Sequence, residues 1–183
     1  MIRIPDINWL YYKYYSENPE LRRIITVHSE CVARKALEIN KTKHLGLDPK
    51  EVYVAALLHD IGVVKCNAPG IFAHGEHPYI QHGLEGKRIL EENGLKKYSR
   101  ICTSHTGSGI TRQEICDKKL PLPLSDDFLP KTLLEKLICY SDKFFSKSKD
   151  LTREKSLDEV ELEMNKFGQD SLERFRALHK RFS

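Results

Sequence analysis

Helix-start signals recur along the whole chain and constrain its fold more than any other feature. Each signal places a residue whose side chain can cap a helix before a proline, or three residues before a glutamate. Five segments carry one: Asn18-Pro19-Glu20, Asp48-Pro49, Thr111–Glu114, Thr132–Glu135 and Ser156–Glu159. Runs that alternate apolar and polar residues, which are typical of strands, are nearly absent. The sequence therefore predicts an all-α fold, a single-domain helical bundle.

These signals, together with the glycines that end helices, predict where each helix lies. We expect helices over 19–44, 49–60, 81–93 and 95–104, a brief one after 111, one over 132–147, and one from 156 to the C-terminus. One domain is predicted over residues 1–183, with its core at about 20–147. The aromatic N-terminal segment and the terminal helix are expected to pack on that core, and a homodimer formed through the terminal helix is the alternative.

The composition is that of an ordinary globular protein, with 40% hydrophobic and 31% charged residues. No apolar run approaches the roughly 20 residues that cross a bilayer, and the N-terminus does not resemble a signal peptide. The five cysteines form no CxxC pair, which is typical of reduced thiols. A cytoplasmic protein without a membrane partner is predicted. The net charge of +4 does not argue for a nucleic-acid partner, and the basic stretch Lys143–Lys155 is interpreted as a solvated face.

Several histidines and aspartates lie on the apolar faces of the predicted helices, where residues three and four apart share a face. The segment AALLHDIG, residues 55–62, places His59 and Asp60 at the end of an apolar helix. His28 lies four residues from both Ile24 and Val32. The other inward residues are His82, His105 and Asp142.

A buried carboxylate without a partner must become neutral or find a cation. The four histidines and two aspartates are therefore interpreted as ligands of one or two metal ions in a bundle core. Imidazole and carboxylate ligands without thiolate suit Mn, Fe, Co, Ni or Zn and argue against a structural zinc. His44 and His179 are expected to be exposed. For His74 and His77 a contact with metal or substrate stays open.

The order His28, His59-Asp60, Asp142 resembles the HD-domain superfamily of metal-dependent phosphohydrolases. The segment His59–Gly62 reproduces the HDIG variant of that superfamily, and the similarity runs from about residue 20 to 147. The segment His82–Gly86, followed by Ile89-Leu90, is similar to the HxxxGxxIL segment of histidine-rich HDIG proteins.

A further set of segments resembles a small, poorly characterised HDIG family common in archaea: His105–Thr111, Leu120-Pro121 and Thr132–Lys136. The resemblance to the superfamily implies a first metal bound by His28, His59, Asp60 and Asp142. It also implies that Asp60 bridges to a second metal, whose site His82 and His105 complete. Asp60 or a histidine of the cluster would orient a metal-bound water as the nucleophile. The function that follows is hydrolysis of a phosphate ester or anhydride in a nucleotide or similar small molecule.

The chain departs from the family pattern after the HDIG segment. Many HDIG proteins carry lysine directly after the glycine, whereas Val63 and Val64 precede Lys65 here. Lys65 is a candidate catalytic residue that holds phosphate, and a solvated loop lysine is the alternative. No GYP motif follows His105, so hydrolysis of cyclic di-GMP is not supported. Two other functions stay open, a di-iron oxygenase with the same six ligands and a binding module that senses a nucleotide. No motif identifies the substrate-binding residues.

Overall fold

The structure is a computed structural model and describes residues 7–126, 128–148 and 150–183. Within these residues the chain forms nine α-helices, and the predicted all-α class is confirmed. The helices are α1 (Asn8–Tyr15), α2 (Pro19–Thr42), α3 (Pro49–Leu58), α4 (His82–Glu92), α5 (Ser99–Thr103), α6 (Arg112–Asp117), α7 (Leu133–Asp142), α8 (Leu157–Lys166) and α9 (Gln169–Phe182). None of the helices in the described ranges is both long enough and apolar enough to cross a membrane.

All five predicted start signals begin helices. The side chains of Asn18, Asp48 and Thr132 each accept a hydrogen bond from a backbone N–H in the first turn of α2, α3 and α7. The helices α6 and α8 begin with complete capping boxes. A cap satisfies N–H groups that have no partner inside the helix, and both partners lie within three residues of each other. Local sequence is therefore enough to place these helix starts.

Two helix ends differ from the prediction. The helix expected to run to about residue 147 ends at Asp142, where Phe144 and Phe145 turn out of the helix and are both buried. The helix expected from 156 to the C-terminus is two helices, α8 and α9, separated at Gly168. Gly168 has a φ of +114°, a conformation that glycine adopts without the strain of a side chain. Burial of Phe144 and Phe145 overrides the helical periodicity after α7, whereas the backbone conformation of Gly168 interrupts it between α8 and α9.

A small sheet lies between α3 and α4. Its strands are β1 (Cys66–Ala68), β2 (Ala73–His74) and β3 (His77–Pro78), in the order β2-β1-β3. The strand β1 pairs antiparallel with β2 and parallel with β3. A turn of 3-10 helix over Ile61–Lys65 joins α3 to this sheet. The sheet carries the chain away from the end of α3 and returns it to the start of α4.

The core is built around α2, which packs against α3 and α7. The main cluster of buried apolar residues includes side chains from every helix except α6, whose Ile115 packs in a smaller cluster with Leu122 and Phe128. Two tyrosines connect α1 to the end of α3 and to the turn that follows it. The Tyr11 hydroxyl donates to the Leu57 carbonyl at 2.5 Å, and the Tyr15 hydroxyl donates to the Ile61 carbonyl at 3.1 Å. The aromatic N-terminal helix therefore contacts the backbone on both sides of His59-Asp60.

The C-terminal helix α9 packs on the other side of the core. The Phe175 ring is fully buried and stacks on Tyr140 of α7, with ring centroids 5.7 Å apart. His179 of the same helix is only partly exposed, and its Nδ1 lies 2.9 Å from the Tyr140 hydroxyl. His179 was expected to be exposed, and this pairing with Tyr140 corrects the expectation.

Candidate metal centre

The six predicted ligand residues meet at one place, where the ends of several helices converge. His28 projects from the middle of α2, whereas the others lie at or just beyond helix ends. His59 and Asp60 follow α3, His82 begins α4, His105 follows α5, and Asp142 ends α7. All six are at most 7% exposed.

Four of these side chains form a first cluster. The Nε2 atoms of His28 and His59 lie 3.3 Å apart, and they lie 3.2 and 3.1 Å from Oδ2 of Asp60. Oδ1 of Asp142 lies 2.9 Å from the His28 nitrogen and 3.4 Å from the His59 nitrogen. Ligands about 2.1 Å from a shared ion are separated by about 3.0–3.4 Å at octahedral or tetrahedral angles. These four atoms therefore have the spacing of ligands around one ion.

The other oxygen of Asp60 faces a second cluster. Oδ1 of Asp60 lies 3.7 Å from Nε2 of His82 and 3.3 Å from Nε2 of His105. The two imidazole nitrogens lie 3.0 Å apart. Three ligand atoms at this spacing can hold a second ion with open coordination positions, as catalytic metal sites do. Asp60 thus offers one carboxylate oxygen to each cluster.

The hydrogen bonds of the imidazole rings decide which nitrogen faces the clusters. In three of the rings Nδ1 lies close to a backbone carbonyl oxygen. The distances are 2.6 Å from His59 to Ala56, 2.7 Å from His82 to Tyr79, and 3.0 Å from His105 to Ile101. A carbonyl oxygen can only accept, so Nδ1 carries the proton in each ring. In the neutral ring, Nε2 then presents a lone pair to the cluster, which is the state that binds a metal ion.

The lone pairs of His82 and His105 face each other without a proton between them. Burial and the neighbouring His105 lower the pKa of His82 to about 3, and burial also lowers the pKa of His105. Both rings are therefore neutral near pH 7. Two acceptors 3.0 Å apart repel unless a cation lies between them. The donor set of the second cluster thus fits a metal ion.

The first cluster has a different electrostatic balance. Burial would lower the pKa of His59, but the Asp60 and Asp142 carboxylates raise it to about 9. Burial would raise the pKa of Asp60, but His59 and Lys147 hold it well below its usual range. Both oxygens of Asp60 are buried, and among the described residues none is aligned to form a regular hydrogen bond with them. A carboxylate placed in this way fits the position of a bridging metal ligand.

Gly62 allows the two clusters to approach each other. A Cβ atom at residue 62 would lie 2.1 Å from the His82 carbonyl oxygen and 2.2 Å from the Gly86 nitrogen. The chain after α3 can therefore touch the start of α4 only because residue 62 has no side chain. This contact brings His82 to the Asp60 carboxylate.

A cavity of about 260 Å³ opens over the clusters. Its walls include His82, His105 and Asp142 together with Tyr79, Phe145, Met164 and three lysines, Lys143, Lys147 and Lys155. The cavity connects the candidate metal ligands to the outside of the protein. Its apolar walls and its lysines together suit an anionic small molecule.

Two of these lysines were missed as site residues, because the stretch Lys143–Lys155 was interpreted as a solvated face. That interpretation is wrong for Lys143 and Lys147, whereas Thr152, Arg153 and Glu154 of the same stretch are exposed. Lys143 is buried, with its Nζ 2.6 Å from Oδ2 of Asp142, and the Nζ of Lys147 lies 2.7 Å from Oδ2 of Asp60. Burial would lower the pKa of Lys147, but the Asp60 carboxylate raises it above its usual range. The signal available in the sequence was the position of Lys143 directly after Asp142, with Lys147 four residues further on.

Other candidate residues lie outside the clusters. Lys65 is exposed, with its Nζ 5.9 Å from the centroid of the Tyr14 ring, and it does not line the cavity over the clusters. His44 and His74 are exposed. His77 is partly exposed, and its Nε2 lies 3.8 Å from the Glu85 carboxylate. The structure therefore does not bring these residues to the six clustered side chains.

Comparisons with known proteins agree with this geometry. The HD domain family model matches residues 25–146 of the chain. A tRNA (cytidine(56)-2'-O)-methyltransferase of Picrophilus torridus is 31% identical over 181 residues, which cover 98% of this chain and 47% of the relative. A protein of the same name from Thermoplasma volcanium is 29% identical over 172 residues, which cover 93% of this chain and 44% of the relative.

A third relative is an uncharacterised protein of Methanocaldococcus jannaschii, 37% identical over 115 residues, which cover 62% of this chain and 59% of the relative. These relatives are archaeal, as the resemblance of the motifs predicts. The chain spans about half the length of the relatives it matches. No solved structure matches the chain.

Proposed function

Because the chain belongs to the HD domain family, we propose that it is a metal-dependent phosphohydrolase acting on a small phosphorylated molecule, such as a nucleotide. The observation that carries the proposal is the Asp60 carboxylate, which turns one oxygen to each of two clusters of metal-ligand atoms. Metal pairs that share a ligand are suited to phosphoryl transfer, because they stabilise both the attacking and the leaving oxygen. Mn, Fe, Co, Ni and Zn all suit these ligands.

The side chains of this protein have defined parts in the proposed reaction. Divalent ions bound here would supply a Lewis acid and a water of lowered pKa. His28, His59 and Asp142 hold one face of the site, and the lone pairs of His82 and His105 hold the other. Asp60 spans both faces and is positioned to orient the attacking water. The cavity over these residues opens to the outside, so a substrate can reach them.

The lining of the cavity supports the proposal that the substrate is a small anion. Lysines on one side suit phosphate oxygens, and Tyr79, Phe145 and Met164 offer apolar surface to the rest of the molecule. Two of the relatives bear the name of a tRNA methyltransferase, but the chain spans less than half of each. We infer no methyl transfer from that likeness, and we include tRNA as a comparison substrate in the test below.

The first test is a hydrolysis assay on small phosphate esters, with tRNA as a comparison substrate. The full-length protein, loaded with Mn²⁺, is expected to hydrolyse an aryl phosphate and nucleoside phosphates. The Asp60→Asn variant is expected to lose at least about 100-fold in kcat/KM, because its amide cannot bridge two ions as a carboxylate does. Asp117→Asn makes the same chemical change at an exposed carboxylate outside the site and is expected to keep the wild-type rate.

Three outcomes would contradict the proposal. Iron-loaded protein that consumes O₂ but hydrolyses no phosphate ester would favour the di-iron oxygenase. Tight nucleotide binding without turnover under any of the five metals would favour the binding module. Preferential hydrolysis of tRNA would overturn the assignment of a small-molecule substrate.

A further inference from the structure

Lys147 lies against an oxygen that a metal ion in the first cluster would need. Its Nζ is 2.7 Å from Oδ2 of Asp60 and 3.9 Å from Oδ1 of Asp142. These are the two carboxylate oxygens that face His28 and His59. The Lys147 side chain is only 15% exposed, although it lies beyond the end of α7 in an irregular segment. A cationic side chain thus lies at the edge of the first cluster.

Lys147 differs in this respect from the other two lysines of the cavity. Lys143 contacts the opposite oxygen of Asp142, Oδ2, and also donates to the His105 carbonyl at 2.7 Å. Lys155 pairs with Glu163 at 2.7 Å, away from the clusters. Only the Lys147 ammonium, among these three, lies against an oxygen that faces the first cluster. Metal binding is therefore expected to affect Lys147 far more than Lys155.

A divalent ion and an ammonium group that share one carboxylate oxygen repel each other. The two carboxylates are already balanced by two lysines, Lys143 against Asp142 and Lys147 against Asp60, so a divalent ion adds two positive charges to a neutral group. The Lys147 side chain has an alternative location, because it lines the open cavity beside Tyr79. In that cavity its charge can be offset by an anion.

We propose that the Lys147 ammonium group offsets the negative charge of the Asp60 carboxylate when no metal is bound. Metal binding then releases this ammonium group, which binds a phosphoryl oxygen of the substrate. Lys147 thereby couples metal binding to anion binding through one side chain. The second half of this statement rests on the proposed phosphohydrolase function, whereas the first half does not.

The first half is tested by calorimetric titration of the metal-stripped, full-length protein with Mn²⁺. Lys147→Met removes the competing cation, so it is expected to bind Mn²⁺ at least about tenfold more tightly than the wild type. Lys155→Met removes a lysine of the same cavity that pairs elsewhere, and is expected to leave the affinity for Mn²⁺ unchanged. Equal or weaker Mn²⁺ binding by Lys147→Met would overturn the proposal.

A labelling experiment on the wild type does not depend on whether a variant folds. The metal-stripped protein is treated with an amine-reactive reagent, and the modification of Lys147 is measured by mass spectrometry with and without Mn²⁺. Mn²⁺ is expected to increase the labelling of Lys147 at least about threefold relative to Lys155, because only Lys147 loses its carboxylate partner. Unchanged or reduced labelling of Lys147 would contradict the release.

The second half is tested by binding of inorganic phosphate to the Mn²⁺-loaded protein. Lys147→Met is expected to bind phosphate at least about tenfold more weakly than the wild type, while Lys147→Arg retains most of the affinity. Equal phosphate affinity in Lys147→Met would refute the role in anion binding. A wild type that binds Mn²⁺ as described but hydrolyses no phosphate ester would refute the proposed function and leave the competition for Asp60 standing.

Discussion

At the scale of single residues, Asp60 connects the two halves of the candidate metal centre. Its two oxygens face different sets of imidazole nitrogens, and both are buried. The backbone carbonyls behind His59, His82 and His105 fix the ring tautomers so that each Nε2 faces inward. The orientation of the ligands is therefore set by groups outside the clusters, as in other metal sites that position their histidines through second hydrogen bonds.

Because the two clusters use different histidines, we expect substitutions in each cluster to change the metal content separately. His105→Ala removes a ligand of the second cluster only, so the variant is expected to bind one ion per chain where the wild type binds two. His28→Ala removes a ligand of the first cluster and is expected to lower the affinity for the ion held there by at least about tenfold. Metal analysis after dialysis measures both. Loss of all metal in His105→Ala would show that the two sites are not separable.

At the scale of elements, the centre depends on where helices end and how closely they approach. Five of the six ligand residues lie at or beyond helix ends, where side chains from different helices can point to a common centre. The turn after α3 approaches the start of α4 so closely that a Cβ at residue 62 would overlap the His82 carbonyl oxygen. This approach is possible only because Gly62 has no Cβ.

Substitution at Gly62 is therefore expected to destabilise the protein. Gly62→Ala places a methyl group 2.1 Å from the His82 carbonyl oxygen, so α4 must shift and move His82 away from Asp60. We expect the free energy of unfolding, measured with urea, to fall by about 3 kcal/mol, together with weaker metal binding in the second cluster.

Gly70→Ala is the matched control, because a Cβ at residue 70 would have no neighbour within 4 Å. Its free energy of unfolding is expected to change by less than about 1 kcal/mol. Similar effects of the two substitutions would mean that the close contact at Gly62 does not limit stability.

At the scale of the whole molecule, the C-terminal helices close the structure around the site. The helix α9 packs on α7 through Phe175, and α8 contributes Met164 to the cavity wall. The ion pair between Arg174 of α9 and Glu114 of α6 joins this helix to the segment that follows His105, with both carboxylate oxygens 2.8 Å from the guanidinium Nη2. The C-terminal part is thus held to the rest of the protein by both apolar and charged contacts.

Because of this ion pair, we expect the free energy of unfolding to depend on pH. Burial would raise the pKa of Glu114, but the Thr111 amide and Arg174 lower it below its usual value. A carboxylate whose pKa is lower in the folded state stabilises the protein above its unfolded pKa of about 4.3, and this contribution is lost as the pH falls through the folded pKa.

Glu114→Gln is expected to lower the free energy of unfolding at pH 7 by about 1–2 kcal/mol and to reduce its loss between pH 7 and pH 3. Glu173→Gln makes the same change at an exposed position of α9 and is expected to have no measurable effect. Urea denaturation at several pH values measures both variants. Parallel pH profiles for Glu114→Gln and the wild type would contradict the role of this carboxylate.

Much of the fold and of the candidate site could be predicted from the sequence because the signals are local or periodic. The caps at Asn18 and Asp48 involve residues two or three positions apart, so they act before any tertiary contact forms. The inward direction of His28 and Asp142 follows from the spacing of apolar residues on one helix. The HD domain family model matches residues 25–146, the region that contains both residues.

Other features could not be predicted because they depend on contacts between distant segments. The end of α7 at Asp142 accompanies the burial of Phe144 and Phe145 in the core. Lys143 and Lys147 belong to a basic stretch that looks solvated until Asp142 and Asp60 are placed beside them.

By itself, the sequence determined the helical class, the five capped helix starts, and the set of histidines and aspartates that face inward, because each is decided by neighbours within about one or two helical turns. Only the tertiary structure decided the distances between the Asp60 oxygens and the imidazole nitrogens, the close approach of Gly62 to α4, and the position of Lys147 against the same carboxylate. Those relations depend on distances between segments far apart in the chain, and such distances exist only once the helices have packed.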